Sequence, residues 1–302
     1  MLKPKLKKPL LLCNYKGLTM LKPLIISISL LGSFYASANT IEVATDLFSK
    51  RGEDAQNAKK AASIYEALAA NEVNTVKKAE LLVSQSEALY FLGTRQKSSS
   101  DQIKVHTKGE NAGLAASKML KDDESNKSLR ARALYFYGSN IGKRGLAEGG
   151  TEPLKLFKKV LKPKMNELID LDETVEEYGV YRILGLAYVK VPGLLGGDKE
   201  KGLKMIRRGF DATVVEGDDF TVASNSTTTR YMLFALMKNK YKTEFCALAD
   251  EFYAFAESER ETQDAHNPNL IPETQDEVNQ FLDPKEDTDQ EEIIKYYDKK
   301  CS

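Results

Sequence analysis

The chain has 302 residues, 42% of them apolar and 29% charged, enough apolar side chains to build one large domain or two ordinary ones. Its 44 basic and 44 acidic residues cancel, but six lysines and no acid fall in residues 1–38, which leaves 38 basic against 44 acidic residues in the remainder. An acidic body of that kind excludes a surface that tracks nucleic-acid phosphates, because phosphate binding needs a basic face.

The amino end reads as an export signal. From Met20 it runs MLKPLIISISLLGSFYASA, with Lys22, an apolar core from Leu24 to Leu31, and Ala36-Ser37-Ala38. A cationic start, a short apolar stretch and an A-x-A site predict a secretory signal peptide cleaved after Ala38. The alternatives are a membrane anchor or a basic leader. The apolar stretch is too short to span a bilayer, and no later segment approaches that length, so the mature chain is expected to lack a transmembrane segment. Met20 is the expected start of translation. Cys13 is then lost, and bulky Leu12 before it disfavours lipid attachment in any case. Cys246 and Cys301 remain; an even pair in an oxidising compartment permits one disulfide, with two separate thiols as the alternative.

No proline lies between Pro23 and Pro153, and apolar residues recur three and four apart, so the chain reads as all-α. Val214-Val215 and Phe220-Thr221-Val222 are the short β-like runs. Helices are predicted at Ile41–Ser49, Asn57–Ala70 and Thr75–Leu92. In the third, Leu81, Leu82, Ala88, Leu89 and Leu92 face inward, polar Gln85 falls on the same face, and Gly93 ends the helix. Thr94 to Thr107 reads as a polar loop that exposes His106. Lys108–Leu120 and Ser128–Ile141 follow, then a corner made by Gly142, Gly145, Gly149 and Gly150. Thr151 is a candidate cap for a helix from Glu152 to Ile169, which Pro163 should bend or divide. Glu176 to Val191 reads as one helix ended by Pro192, and Asp198 as the N-cap of Lys199–Ala212. Thr227–Lys238, Tyr241–Ala256, a short helix at Gln275–Leu282 and a last one at Glu291–Lys300 complete the order.

Three regions result: a leader and signal peptide at 1–38, a helical domain at 39–256, and an acidic tail at 257–302 whose terminal helix packs on the domain. From Glu244 onward there are 17 acids against five basic residues. Between Glu176 and Ala212 the spacing becomes specific. Tyr181, Leu184, Gly185 and Tyr188 keep the aromatic-x2-Leu-Gly-x2-Tyr pattern of a first tetratricopeptide (TPR) helix, and Gly202, Ile206 and Gly209 take the small-large-small places of a second. With helix pairs recurring every ~40 to 50 residues, the expected architecture is a TPR-like α-solenoid of stacked antiparallel helix pairs, in which each pair covers its neighbour's apolar face.

Chemistry is sparse. His106 and His266 stand far apart, and no cysteine–histidine cluster has metal spacing, so no metal site is assigned. The segment Pro192-Gly193-Leu194-Leu195-Gly196-Gly197-Asp198 follows a helix and lacks the Gly-Lys-Ser/Thr ending of a phosphate loop, which makes it a tight interhelical turn. Asp287, Asp289, Glu291 and Asp298 share the spacing of a calcium loop, but Glu292 occupies the place that needs glycine. Asn225-Ser226-Thr227 is a glycosylation triplet only in a eukaryotic secretory route. No two acids pair as general acid and base, and no catalytic residue or cofactor is assigned. Tyr135, Phe136, Tyr137 and Tyr178 are expected in the core, with the lining of a groove between helix pairs as the alternative.

At Tyr181-Arg182-Ile183-Leu184-Gly185, and through Tyr188 to Pro192, Gly193, Gly196, Gly197 and Asp198, the chain resembles the T component (TatT-like) of TPR-associated TRAP transporters. Ala133-Leu134-Tyr135-Phe136 with Asn140 and Gly142 is similar to the aromatic helix preceding that motif in the family. The resemblance covers residues 58 to 256. It implies a periplasmic, non-enzymatic helical protein that partners a periplasmic solute-binding protein, self-association as a homo-oligomer, and a hydrophobic channel or groove. Members are commonly lipoproteins, and no cysteine follows Ala38 here. A general scaffold of the cell envelope, or an enzyme acting on envelope polymers, are the competing readings.

Overall fold

Caps and small residues set the first half of the structure, a computed structural model that describes residues 40–216, 221–263 and 288–301. Helix α1 (Ile41–Ser49) leads to α2 (Ala55–Asn71), where the Asp54 side chain accepts from the Gln56 amide. Helix α3 (Thr75–Thr94) starts on Asn74, which accepts from the Lys77 amide, and α4 (Ser99–Met119) starts on Ser98, which accepts from the Asp101 amide. Each cap supplies an acceptor to an N–H that the helix itself leaves unpaired.

Two expectations fail here for one reason. The polar stretch from Thr94 to Thr107 is not a loop; most of it is the first half of α4. Its serines are the cap and first turn, and its remaining polar residues form a solvated face around one buried position, His106. Gly93 does not end α3 but lies inside it, and a Cβ there would sit 2.4 Å from the His106 ring. The glycine makes room for the imidazole.

Helix α5 (Lys127–Glu148) contains Gly142 and Gly145, so the predicted corner shrinks to Gly149 and Gly150, at φ 67° and 58°. Thr151 makes no side-chain capping bond. From Glu152 the chain forms α6 (Glu152–Leu156), a π turn (Phe157–Leu161) and α7 (Lys162–Asp172). The widened turn ends just before Pro163, whose missing N–H and ring would otherwise break the ladder. Helices α8 (Val175–Lys190) and α9 (Lys199–Ala212) follow, the latter capped by Asp198, which accepts from the Lys201 amide at 2.9 Å.

The β-like runs form a short antiparallel pair, β1 (Val214–Glu216) and β2 (Thr221–Ala223), with Val215 opposite Val222. Helix α10 (Ser226–Asn239) starts on Asn225, which accepts from the Thr227 amide, so the glycosylation triplet is a helix cap. Helix α11 (Lys242–Gln263) runs past Ala256, where the domain was expected to end. Helix α12 (Thr288–Lys300) begins three residues earlier than expected and takes the calcium-type spacing from Asp289 to Asp298 into a helix. The leader, His266, Asp287 and the helix predicted at Gln275–Leu282 lie outside the described residues.

The described chain is mostly helical with little strand. Successive helices return antiparallel. Ser86 of α3 donates to the Gly109 carbonyl of α4 while Gly93 faces His106, and Gly109 and Gly113 of α4 face Asn140 and Tyr137 of α5. Likewise Gly185 of α8 faces Ile206 and Gly202 of α9, and Tyr181 faces Gly209. Small residues at these crossings let backbones approach, as ridge-into-groove packing requires. The described residues from Ile41 onward belong to one compact unit. Its apolar clusters run from α1–α4, through α5 to α8, to α9–α12, where Phe245, Phe252, Leu233 and Ile293 are fully or almost fully buried. Cys246 of α11 and Cys301, just after α12, form a disulfide with Cα atoms 5.5 Å apart. Among the described residues no helix is long and apolar enough to cross a membrane.

Candidate functional site

The start of α8 departs most from the sequence reading. Glu176 to Val191 is not one regular helix: Glu176, Glu177 and Tyr178 hold left-handed dihedrals, with φ 51°, 52° and 56°. For L residues each such position costs about 1–2 kcal/mol, so three in a row require outside support. Arg182 supplies it. Its Nη2 donates to the Glu176 carbonyl at 2.8 Å and its Nη1 to the Glu177 carbonyl at 3.0 Å. The same guanidinium reaches Thr228 Oγ1 of α10 at 3.2 Å and the Tyr135 hydroxyl of α5 at 3.3 Å. A buried guanidinium with several acceptors is well compensated, and the planar fork suits two adjacent carbonyls. Gly179 completes the turn, since a Cβ there would lie 2.3 Å from the Tyr135 ring.

The turn directs Glu176 away from the α8 axis. The Glu176 carboxylate accepts from Arg132 Nε at 2.8 Å, and Arg132 Nη2 donates to Glu87 at 2.7 Å, so one arginine joins α3, α5 and the turn. Despite burial, the two carboxylates hold the Arg132 pKa above its ordinary value. Burial pushes the Tyr135 hydroxyl upward as well, partly opposed by the Arg182 charge.

Glu87, Tyr135, Glu176 and Arg182 border a cavity of about 520 Å³ lined mainly from α3, α5, α6, the π turn, α8 and α10. Its apolar lining includes Phe136, Ile141, Leu156, Phe157, Ile183 and Leu186. Its charged lining includes Glu87, Glu176, Arg182, Arg230, Lys190 and Asp289. Lys190 pairs with Asp289, which brings the last helix to the rim. A mostly apolar hollow with a few convergent polar groups is the usual form of a small-molecule site. Among the described residues no cluster of histidine, cysteine and acidic side chains could hold a metal.

The structure separates the groove candidates. Tyr135 and Phe136 line the cavity. Tyr137 and Tyr178 do not: Tyr137 is buried in the core, and Tyr178 stacks on Tyr181 at 6.5 Å beside Gly209. They differ because α5 turns successive side chains about 100° apart, so three adjacent aromatics cannot share one wall. In the motif, Tyr181 donates to Glu173, and burial followed by that bond pushes its hydroxyl up to about 12. Leu184 is fully buried, and Tyr188 packs edge-on against Phe157 at 5.1 Å. Pro192 opens a 3₁₀ turn at Gly193–Leu195, Gly196 is left-handed at φ 96°, and the Asp198 amide returns to the Tyr188 carbonyl at 3.0 Å. At Gly197 a Cβ would lie 1.6 Å from the Val191 carbonyl oxygen, so only glycine fits. The motif is thus chiefly a packing device, from which Arg182, Ile183 and Val191 reach the cavity.

Sequence reasoning missed Glu87, Lys190, Arg230 and Asp289, which come from four helices and share no local pattern. Gly179, a glycine near the start of a predicted helix beside two acids, was the available signal for the turn. No protein-family model matches the chain, and no curated protein sequence matches it.

Proposed function

We propose that the protein is an exported, non-enzymatic TPR-like component of a solute-uptake system that works with a periplasmic solute-binding protein of the TRAP type. The cavity beside the Arg182 turn carries this reading. It is built by the aromatic helix α5 and the motif helix α8, the same two segments on which the family resemblance rests. Antiparallel pairing at Gly185 and Gly202 supports a stacked-pair architecture of this kind. The acids at the cavity are engaged by cations, Glu87 and Glu176 by Arg132 and Asp289 by Lys190, an arrangement suited to holding a molecule rather than moving protons.

Affinity capture with tagged residues 39–302 from the envelope of the source cell is expected to retrieve a solute-binding protein. Repeated capture without one rules out the transporter reading. Gly142→Trp offers a finer test, because Gly142 lines the cavity and a Cβ there meets nothing within 4 Å. The indole should occupy the hollow, leave the fold and the partner unchanged, and abolish retention of a small molecule in native mass spectrometry.

A further inference from the structure

The chain's acidic total hides one basic face, and that face surrounds the Pro192–Asp198 turn. Between Leu154 and Lys164 the sequence places five lysines and no acid. Lys155 and Lys164 pair with Glu152 and Glu167, whereas Lys158, Lys162 and Lys201 have no ion-pair partner among the described residues. Lys158, in the π turn, lies against the loop: a Cβ on Gly196 would meet its Cε at 3.1 Å. Lys162 of α7 and Lys201 of α9 reach the same Tyr188 ring, their ammonium groups 5.8 and 4.6 Å from its centroid. The Tyr188 carbonyl accepts from the Asp198 amide that closes the turn, so three exposed lysines from three elements gather around one loop. The neighbouring acids are engaged elsewhere: Asp198 accepts from the Lys201 amide, and Glu200 from the Tyr241 hydroxyl at 3.3 Å. Uncompensated ammoniums gathered in this way repel one another, and the contacts with Tyr188 offset only part of that.

At the apex of the loop Leu194 is fully exposed, and Leu195 beside it is exposed as well. Slack backbone is not the reason. The Leu195, Gly196 and Gly197 amides donate back to Pro192, Gly193 and Pro192 at 2.8, 2.9 and 3.1 Å, and Gly197 sits against the Val191 carbonyl. The turn therefore holds a leucine out in water at a fixed position. One exposed leucine is ordinary on a protein surface. A rigidly held one beside three unpaired cations is a different kind of surface.

We infer that this face docks the protein on an anionic bilayer surface, with Leu194 entering the headgroup region and Lys158, Lys162 and Lys201 set against lipid phosphates. Charge complementarity and the leucine together name the occupant. An acidic protein segment would satisfy the ammoniums but give Leu194 no apolar surroundings. A bilayer supplies anionic headgroups and, just beneath them, acyl chains. The hydrogen-bonded turn is already in its docked shape, which lowers the ordering cost of contact. One leucine and three lysines make a reversible attachment, not an anchor. This inference stands apart from the cavity and from the transporter reading.

The test is cosedimentation of the full mature chain with vesicles of equal parts phosphatidylcholine and phosphatidylglycerol, beside vesicles of phosphatidylcholine alone. Binding to the mixed vesicles only is expected, and salt should weaken it. Lys158→Gln with Lys162→Gln and Lys201→Gln should reduce the affinity about 100-fold. Leu194→Ser should reduce it about 10-fold. All four side chains are exposed, so the thermal midpoint should hold in these variants. Val73→Ser, at a valine between α2 and α3 that is almost as exposed as Leu194, should change nothing. Equal binding to both vesicles, no binding to the mixed ones, or unchanged affinity in the lysine or leucine variant overturns the proposal. So does an equal loss in Val73→Ser, which would show unspecific apolar adhesion. Binding of poly-glutamate as tight as that of the mixed vesicles would give the face to an acidic chain. Full competition by free glycerol phosphate at equal concentration would give it to a small anion. Either result also overturns the bilayer assignment.

Discussion

Arg182 illustrates how much one side chain can carry. Its guanidinium binds two carbonyls of a left-handed turn, a threonine of α10 and a tyrosine of α5. Removing one partner from a buried charged network leaves the others unsatisfied, so Arg182→Met should lower the unfolding free energy by about 3 kcal/mol in urea titrations. Arg182→Lys should restore little of it, because an ammonium cannot span both carbonyls. His106 makes a pH-dependent contribution. Burial depresses its pKa to about 4, against the Asn140 hydrogen bond and with the Lys143 charge adding to the depression. The folded value lies below the unfolded value of 6.5, so the native state resists protonation: stability is full above about pH 6.5 and falls as pH drops towards 4. The slope approaches about 1.4 kcal/mol per pH unit within that window. His106→Gln should flatten it, and an unchanged slope in urea midpoints from pH 6.5 to 4.5 would refute the assignment. The sequence could not foresee this residue, since the stretch from Thr94 to Thr107 is mostly polar and His106 is its one fully buried position in α4.

Among the elements, the period of apolar residues located most helices, and the places where it failed share a cause. Helix α4 was half missed because a solvated helical face and a polar loop have similar composition. The start of α8 was misread because the left-handed dihedrals at Glu176, Glu177 and Tyr178 depend on Arg182, which is itself held by Tyr135 and Thr228 on helices remote in sequence. By contrast, the Pro192–Asp198 turn was legible, as proline and glycine impose their geometry locally. Two helical glycines should respond oppositely to alanine. At Gly185 a Cβ would lie 2.4 Å from Ile206 and 2.8 Å from the Gly202 carbonyl oxygen, so Gly185→Ala should lower stability by about 2 kcal/mol. At Gly142 there is open space, and Gly142→Ala should raise stability by about 0.5–1 kcal/mol through helix propensity. Paired thermal melts read both.

For the molecule as a unit, the candidate cavity was half legible. Tyr135, Phe136 and Arg182 were named from the sequence, whereas the other charged lining groups, Glu87, Lys190, Arg230 and Asp289, come together only through packing. The disulfide belongs to this scale because it ties the chain's last helix to α11 across 55 residues. A closed loop of that length restricts the unfolded chain enough to stabilise the fold by about 4 kcal/mol in the chain-entropy treatment. Cys246→Ser with Cys301→Ser should therefore shift the urea midpoint down, and hydrogen exchange should quicken first in Thr288–Lys300. Uniform quickening across α5 and α8 would contradict that local reading.

Asp289 meets Lys190 across 99 residues, and Cys301, the residue after α12, is bridged to Cys246 of α11. Every other lining residue of the hollow precedes α12 in sequence and can be placed before that helix is made. The rim of the hollow is accordingly completed after its other walls. A chain truncated before α12 would carry the whole recognised motif and still lack a finished rim.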